Sequence, residues 1–221
     1  MIKLYGYWRS SAAYRVRIAL NLKQISYSQE FVHLAKDGGE QHKPEYKSVN
    51  PQSLVPALVD DTSATGQTVT IGQSMAILEY LEEKYPSPRL LPGAIEQRAL
   101  VRQLCQIIAC DVHPLDNLRV LKYLQNNLQV GEEAKMEWYH HWIRSAFTAY
   151  EQILAQHDFD GPYSIGEELS LADACLIPQI YNANRFNFPM DDFPKLAMIN
   201  ENCLKLERIQ NAVPENQPDA V

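Results

Sequence analysis

Residues 2–34, IKLYGYWRSSAAYRVRIALNLKQISYSQEFVHL, decide the fold. Residues 2–7 read as a strand, 10–23 as a helix with Ser10 or Ser11 at its N-cap, and 27–34 as a second strand. Working outward, 35–48 is polar, with Gly38-Gly39 as a breaker and room for one short helix. Two short strands follow, 56–59 and 67–71, around a turn at 60–66, which predicts an antiparallel hairpin. Residues 73–85 then form a helix, with Ile77, Leu78, Leu81 and Tyr85 on one face and Glu79, Glu82 and Glu83 elsewhere. The order βαβ–α–ββα predicts a small mixed sheet of four strands with helices on its faces.

Residues 86–93, PSPRLLPG, contain three prolines and read as a stiff linker. Everything after it has helical periodicity. Leu100, Leu104, Ile107 and Ile108 lead to a break at His113-Pro114, and Leu118, Leu121 and Leu124 resume beyond it. Tyr139, Ile143, Ala146, Phe147, Tyr150 and Leu154 recur at three and four residues. Ser170-Leu-Ala-Asp173 has the form of a capping box opening a helix that runs to Arg185. One last helix spans 195–209, and the end, PENQPDAV, is expected to fray. The expectation is an α/β domain over 1–85, a linker over 86–93 and an all-α, substrate-binding domain over 94–221.

Composition removes several function classes. The chain has 221 residues, 46% of them apolar and 21% charged, with a net charge of −7. That is ordinary globular composition. An acidic chain with scattered basic residues is a poor partner for nucleic acid. Apolar runs are far too short to span a bilayer, and Arg9, Arg15 and Arg17 interrupt any signal-like segment, so membrane association is not expected. The four cysteines (105, 110, 175 and 203) have no C-x-x-C spacing and each lies in an apolar helical pattern. They read as reduced core thiols of a cytoplasmic protein, and no metal site is predicted.

Three places in the first domain carry chemistry. Ser10-Ser11 stands at a helix N-terminus, where free N–H groups and a partial positive charge favour an anion, and a hydroxyl there can hold a thiolate ionised. Serines also simply cap helices. Leu54-Val55-Pro56 puts a proline at the start of a buried strand. If that bond is cis, the Val55 backbone can offer its N–H and C=O to an extended peptide. Gln73-Ser74 opens the third helix and suits a carboxylate, with plain capping again the alternative. A seat for a thiolate, an edge for a peptide and a seat for a carboxylate together describe a thiol-peptide site, and glutathione fits that description.

The segments RSSAAYRVRIALNLKQISY, NPQSLVPAL, IGQSMAILEYLEEKYPSPRLLP and LSLADACLIPQIYNANRF resemble the zeta class of glutathione transferases. The resemblance covers almost the entire chain. It implies a thioredoxin-like N-terminal domain, an all-helical C-terminal domain, a homodimer, and glutathione as a cofactor that is not consumed. By the same resemblance Ser10 and Ser11 match the serine pair at the thiol; of the two, Ser10 is favoured as the closer contact, with Ser11 the alternative cap. Gln41, Val55, Gln73 and Ser74 contact the glutathione backbone, Val55 through its main chain. His113, Asn117 and Arg119 match a helical segment that also reaches glutathione. His113 stands where some members have Gln, so a donor role is implied but no proton chemistry.

The implied reaction is cis–trans isomerisation of maleylacetoacetate, with maleylpyruvate as the alternative substrate. General glutathione transfer or peroxidase chemistry is a further alternative, and a non-catalytic binding module the remaining class. The class commonly has Ser-Ser-Cys where this chain has Ala12, which disfavours chemistry through a protein cysteine but leaves isomerisation intact. A free thiol of pKa ~8.5 is only about 3% ionised at pH 7, and lowering it to ~6.5 makes it mostly thiolate. Both candidate substrates are dianions, so a protein of net charge −7 needs locally placed arginines. Arg185, Arg9 and Arg119 are the predicted carboxylate contacts.

Overall fold

In the computed structural model, which describes residues 1–63, 66–157 and 159–221, a four-stranded sheet is built around β1 (Ile2–Gly6). β2 (Tyr27–Phe31) runs parallel to β1 on one side. β3 (Ala57–Asp60) runs antiparallel to it on the other, and β4 (Val69–Gly72) is antiparallel to β3. The order is therefore β2-β1-β3-β4. Leu4 opposite Leu58 sets the β1–β3 register, and both side chains are buried. A parallel β1–β2 pair demands a crossover, which α1 (Ser11–Leu22) provides. α3 (Ser74–Lys84) packs on α1 through Ile77, Leu78 and Leu81, all fully buried. Between β2 and β3, two single 3₁₀ turns lead into the short α2 (Pro44–Val49).

The mixed sheet and its helices thus match the α/β expectation, with small shifts. β2 stops at Phe31, short of residue 34, because the pairing with β1 ends at Gly6. Beyond it the His33 N–H turns away to the Glu40 carboxylate, at 2.8 Å. The hairpin is antiparallel as predicted, but its turn at 60–66 includes Ala64 and Thr65, which lie outside the described residues. The helix cap is Ser10, not Ser11: the Ser10 Oγ accepts from the Ala13 N–H, and Ser11 is already helical.

The chain divides into two units, Met1–Leu90 with Leu204–Val221, and Leu91–Cys203. Two expectations, one about the linker and one about the reach of the second domain, differ from this division. Residues 86–90 belong to the first unit because a buried ion pair holds them there. Lys23 Nζ lies 2.6 Å from Glu82 and donates to the carbonyls of Tyr85 and Pro88, while the Glu82 carboxylate accepts from the Leu90 N–H. Breaking such a pair leaves an uncompensated buried charge and costs about 3–5 kcal/mol.

The second correction concerns the C-terminal residues, which also belong to the first unit. The expected helix over 195–209 is two helices, α8 (Pro194–Leu204) and α9 (Glu207–Gln210). α9 packs on α1. The last residues are docked, not frayed: Gln217 is buried and its side chain donates to the carbonyls of Asn211 and Val213.

The second unit is helical: α4 (Ile95–Gln106), α5 (Leu118–Asn126), α6 (Glu132–Gln156), α7 (Leu171–Arg185) and most of α8. α4 continues into a π-helical turn at Ile107–Val112, which ends at the predicted His113-Pro114 break. The capping box at Ser170/Asp173 is present, and the fully buried Asp173 carboxylate also accepts from the Ser164 N–H at 2.8 Å. All four cysteines are reduced thiols. Cys105, Cys175 and Cys203 are core thiols, but Cys110 is exposed, because the π turn rotates it off the buried face of α4. No helix among the described residues is long and apolar enough to cross a membrane.

Candidate functional site

In the first unit two helix N-termini carry the predicted residues. At the start of α1, Ser10 uses one oxygen lone pair to cap the Ala13 N–H, at 3.2 Å. A hydroxyl has one proton to donate besides its two lone pairs, so the Ser10 O–H remains free for an anion. Ser11 is buried as the first helical residue. Arg9 lies just before them. Its guanidinium sits 4.6 Å from the centre of the Trp8 ring and donates to the Tyr7 hydroxyl at 3.1 Å. These contacts hold a cation beside the serine pair without neutralising it.

At the start of α3, Ser74 is buried and Gln73 precedes it with φ 65° and ψ 116°. A side chain in this region costs of order 1–3 kcal/mol and persists only where the surroundings enforce it. The Gln73 amide donates to Gln52 at 2.9 Å. Beneath them Arg15, 1% exposed, donates to the Ser74 Oγ at 3.2 Å. With its oxygen accepting from a guanidinium, the Ser74 hydroxyl is turned into a donor towards any anion at the helix end. Arg15 also adds a full positive charge to the partial charge of the helix N-terminus. Sequence reasoning passed over it. The signal was an arginine in an otherwise apolar helical face, YRVRIAL.

The peptide edge and the remaining contact also lie in this unit. The Val55–Pro56 bond is cis, and the Leu54 carbonyl just before it accepts from the Tyr46 hydroxyl (2.6 Å) and the Asn50 amide (2.7 Å). Gln41 lies two residues after Gly39, whose φ of 103° only glycine adopts readily. The Gln41 Oε1 is buried with no hydrogen-bond partner among the described residues. An open recess of about 520 Å³ in the same unit, lined by Tyr5, Glu30, Phe31 and Tyr46, contains none of the predicted site residues.

The second unit holds the other four. His113 follows the π turn, and Asn117 caps α5 by accepting from the Arg119 N–H at 3.1 Å, so part of its role is structural. Arg119 and Arg185 are exposed. The Arg185 guanidinium lies 5.6 Å from the Phe186 ring centre, and that ring packs 4.3 Å from Tyr139. Next to Tyr139 stands Asp116, buried, with neither carboxyl oxygen bonded among the described residues. Burial pushes the Asp116 carboxyl up to about 8. Burial also raises Tyr139, as does the charge of Asp116, while Arg185 acts in the opposite sense. No sequence pattern marks Asp116, since an aspartate before an N-cap is ordinarily solvated. No group of three or more His, Cys, Asp or Glu among the described residues could hold a metal ion.

The sheet order and the paired helix ends define a glutathione-binding fold, and residues 9–84 match the family model for the glutathione S-transferase N-terminal domain. A probable maleylacetoacetate isomerase of Vibrio cholerae is 49% identical over 217 residues, covering 98% of this chain and 97% of that protein. The holo structure of a bacterial maleylpyruvate isomerase superposes with TM-score 0.91 at 41% identity, covering 99% of this chain and all of that one. A maleylacetoacetate isomerase of Methylobacterium extorquens, solved with malonate and glutathione, also gives TM-score 0.91, at 39% identity and 99% coverage of both chains. The chain belongs to the zeta class of glutathione transferases.

Proposed function

We propose that this chain is a glutathione-dependent cis–trans isomerase that converts maleylacetoacetate to fumarylacetoacetate in tyrosine and phenylalanine breakdown. One observation carries the reading: two helix N-termini of the first unit each present a hydroxyl proton to an anion, Ser10 on α1 and Ser74, backed by Arg15, on α3. They match two anionic groups of bound glutathione, its cysteinyl thiolate and its γ-glutamyl carboxylate. The unpartnered Gln41 Oε1 fits the same ligand, because a peptide N–H supplies the donor it lacks. When bound, glutathione supplies a thiolate that adds reversibly to the double bond, which can then turn as a single bond.

The protein's own residues have three tasks. Ser10 donates to the sulfur and, with the α1 N-terminus, favours the ionised form; two pKa units correspond to about 2.7 kcal/mol, within reach of one charge-assisted bond and a helix end. Ser11 supports that turn from its buried position. Gln73, Ser74, Gln41 and the Val55 main chain hold the peptide, with His113, Asn117 and Arg119 as the further glutathione contacts. Arg185, Arg9 and Arg119 hold the substrate carboxylates. The proposed working form is a cytoplasmic homodimer.

Maleylpyruvate is the second reading, favoured by the whole-chain likeness to a maleylpyruvate isomerase; the chemistry is the same on a smaller diacid. The purified chain should turn over maleylacetoacetate faster than maleylpyruvate, and neither without glutathione. Faster turnover of maleylpyruvate would make the second reading the right one. Failure on both, with glutathione conjugation of an uncharged electrophile intact, would make the chain a general transferase.

A further inference from the structure

The loop that carries Arg9 and Ser10 is fastened at Trp8 from the far end of the chain. The Trp8 N–H donates to Asp219 Oδ2 at 3.0 Å, and the Trp8 carbonyl accepts from the Arg17 guanidinium at 2.9 Å. Arg17 is 2% exposed, and its Nε donates to the Ala212 carbonyl at 3.0 Å. Both backbone groups of Trp8 are therefore tied, directly or through one side chain, to residues 212–219. That segment is itself seated on the unit: Gln29 of β2 donates to the buried Gln217 at 3.1 Å, and just before the segment the Arg208 carbonyl of α9 accepts from Asn21 of α1 at 3.0 Å. Two residues after Trp8, the Ser10 N–H closes the turn by donating to the Tyr7 carbonyl at 2.9 Å. A shift at Trp8 thus displaces Ser10.

We propose that the C-terminal segment sets the place of the Ser10 hydroxyl, with Asp219 and Arg17 as positioning residues for the thiol. This rests on the glutathione reading above. Hydrogen bonds weaken steeply with misalignment. The carboxylate seat at Ser74 is held by Arg15, a different side chain, so loosening Trp8 leaves it in place. The consequence is a split: thiol ionisation and turnover suffer, while glutathione affinity persists.

The test titrates the ultraviolet thiolate absorbance of glutathione bound to the full chain. Asp219→Ala should raise the bound thiol's pKa by about half to one unit and lower kcat at pH 7 by about 3- to 10-fold. The KM for glutathione should stay within about twofold, and kcat should recover as pH rises through the new pKa. Asp219→Asn keeps an acceptor on the same stem and should restore most of the loss. Amide exchange at Trp8 and Ser10, measured without ligand, should quicken in Asp219→Ala. An unmoved thiol titration, unchanged exchange, or equal losses in kcat and affinity would overturn the proposal. A wild-type chain with no thiolate signal would overturn the site reading and the proposal together, whereas a wild-type signal that ignores Asp219→Ala overturns the proposal alone.

Discussion

Asp116→Asn should stabilise the protein, by an amount that grows with pH. Asp116 is 6% exposed, and burial pushes its carboxyl up to about 8 from its ordinary 3.8. Between those two values the folded state keeps a proton that the unfolded chain releases. Stability is therefore greatest below pH 4 and is lost as pH rises towards 8, at about 1.4 kcal/mol per pH unit. Asparagine has nearly the same shape and no proton to lose. The gap between variant and wild type should widen by up to about 2.7 kcal/mol from pH 5 to pH 7. Tyr139, the titratable group that the Asp116 charge acts on, is raised by burial and keeps its proton across that window. Urea unfolding of both proteins at pH 5, 6 and 7 measures the difference. Parallel pH dependences would mean that Asp116 is ionised and paired in the folded state, and would refute the reasoning.

Three further outcomes are expected. Ser10→Ala removes both a thiol donor and a helix cap, so the bound thiol's pKa should rise by about 1–2 units while stability drops by about 1 kcal/mol, read by thiolate titration and by urea melts. Arg185→Met should lower kcat/KM for the diacid about 10- to 150-fold, one charged hydrogen bond's worth, and leave conjugation of an uncharged electrophile unchanged; equal losses on both would make Arg185 structural. Asp173→Ala strips an acceptor from the backbone N–H groups of Ser164 and Ser170 and should cost well over 1 kcal/mol in thermal unfolding, with activity per folded molecule nearly constant.

Local chemistry made several features legible in advance. The helix over 171–185 announced itself by Ser170 and Asp173, three residues apart, because a capping box needs nothing beyond its own turn. The break at His113-Pro114 was equally local, since proline has no N–H to donate to the helix ladder and its ring crowds the preceding turn. Ser10 and Ser11 could be placed at a helix end but not told apart. Which serine caps depends on the backbone angles of a single residue, and a one-residue shift in helix start leaves the pattern of apolar positions unchanged.

The order of strands and helices along the chain, the helix N-termini at Ser10 and at Ser74, and the anion-seating character of each end follow from the sequence by itself, because each depends on residues within a few positions of one another. The tertiary structure alone decided what lies beneath and behind them. Arg15 supports Ser74 across 59 residues, Asp219 reaches Trp8 across 211, and Lys23 draws residues 85–90 into the first unit. Asp116 lost its solvent only when its neighbours packed around it. The physical reason is common to all four. Charged side chains read as solvated in a sequence, and only packing reveals which are buried, and hence which partners they must find or do without.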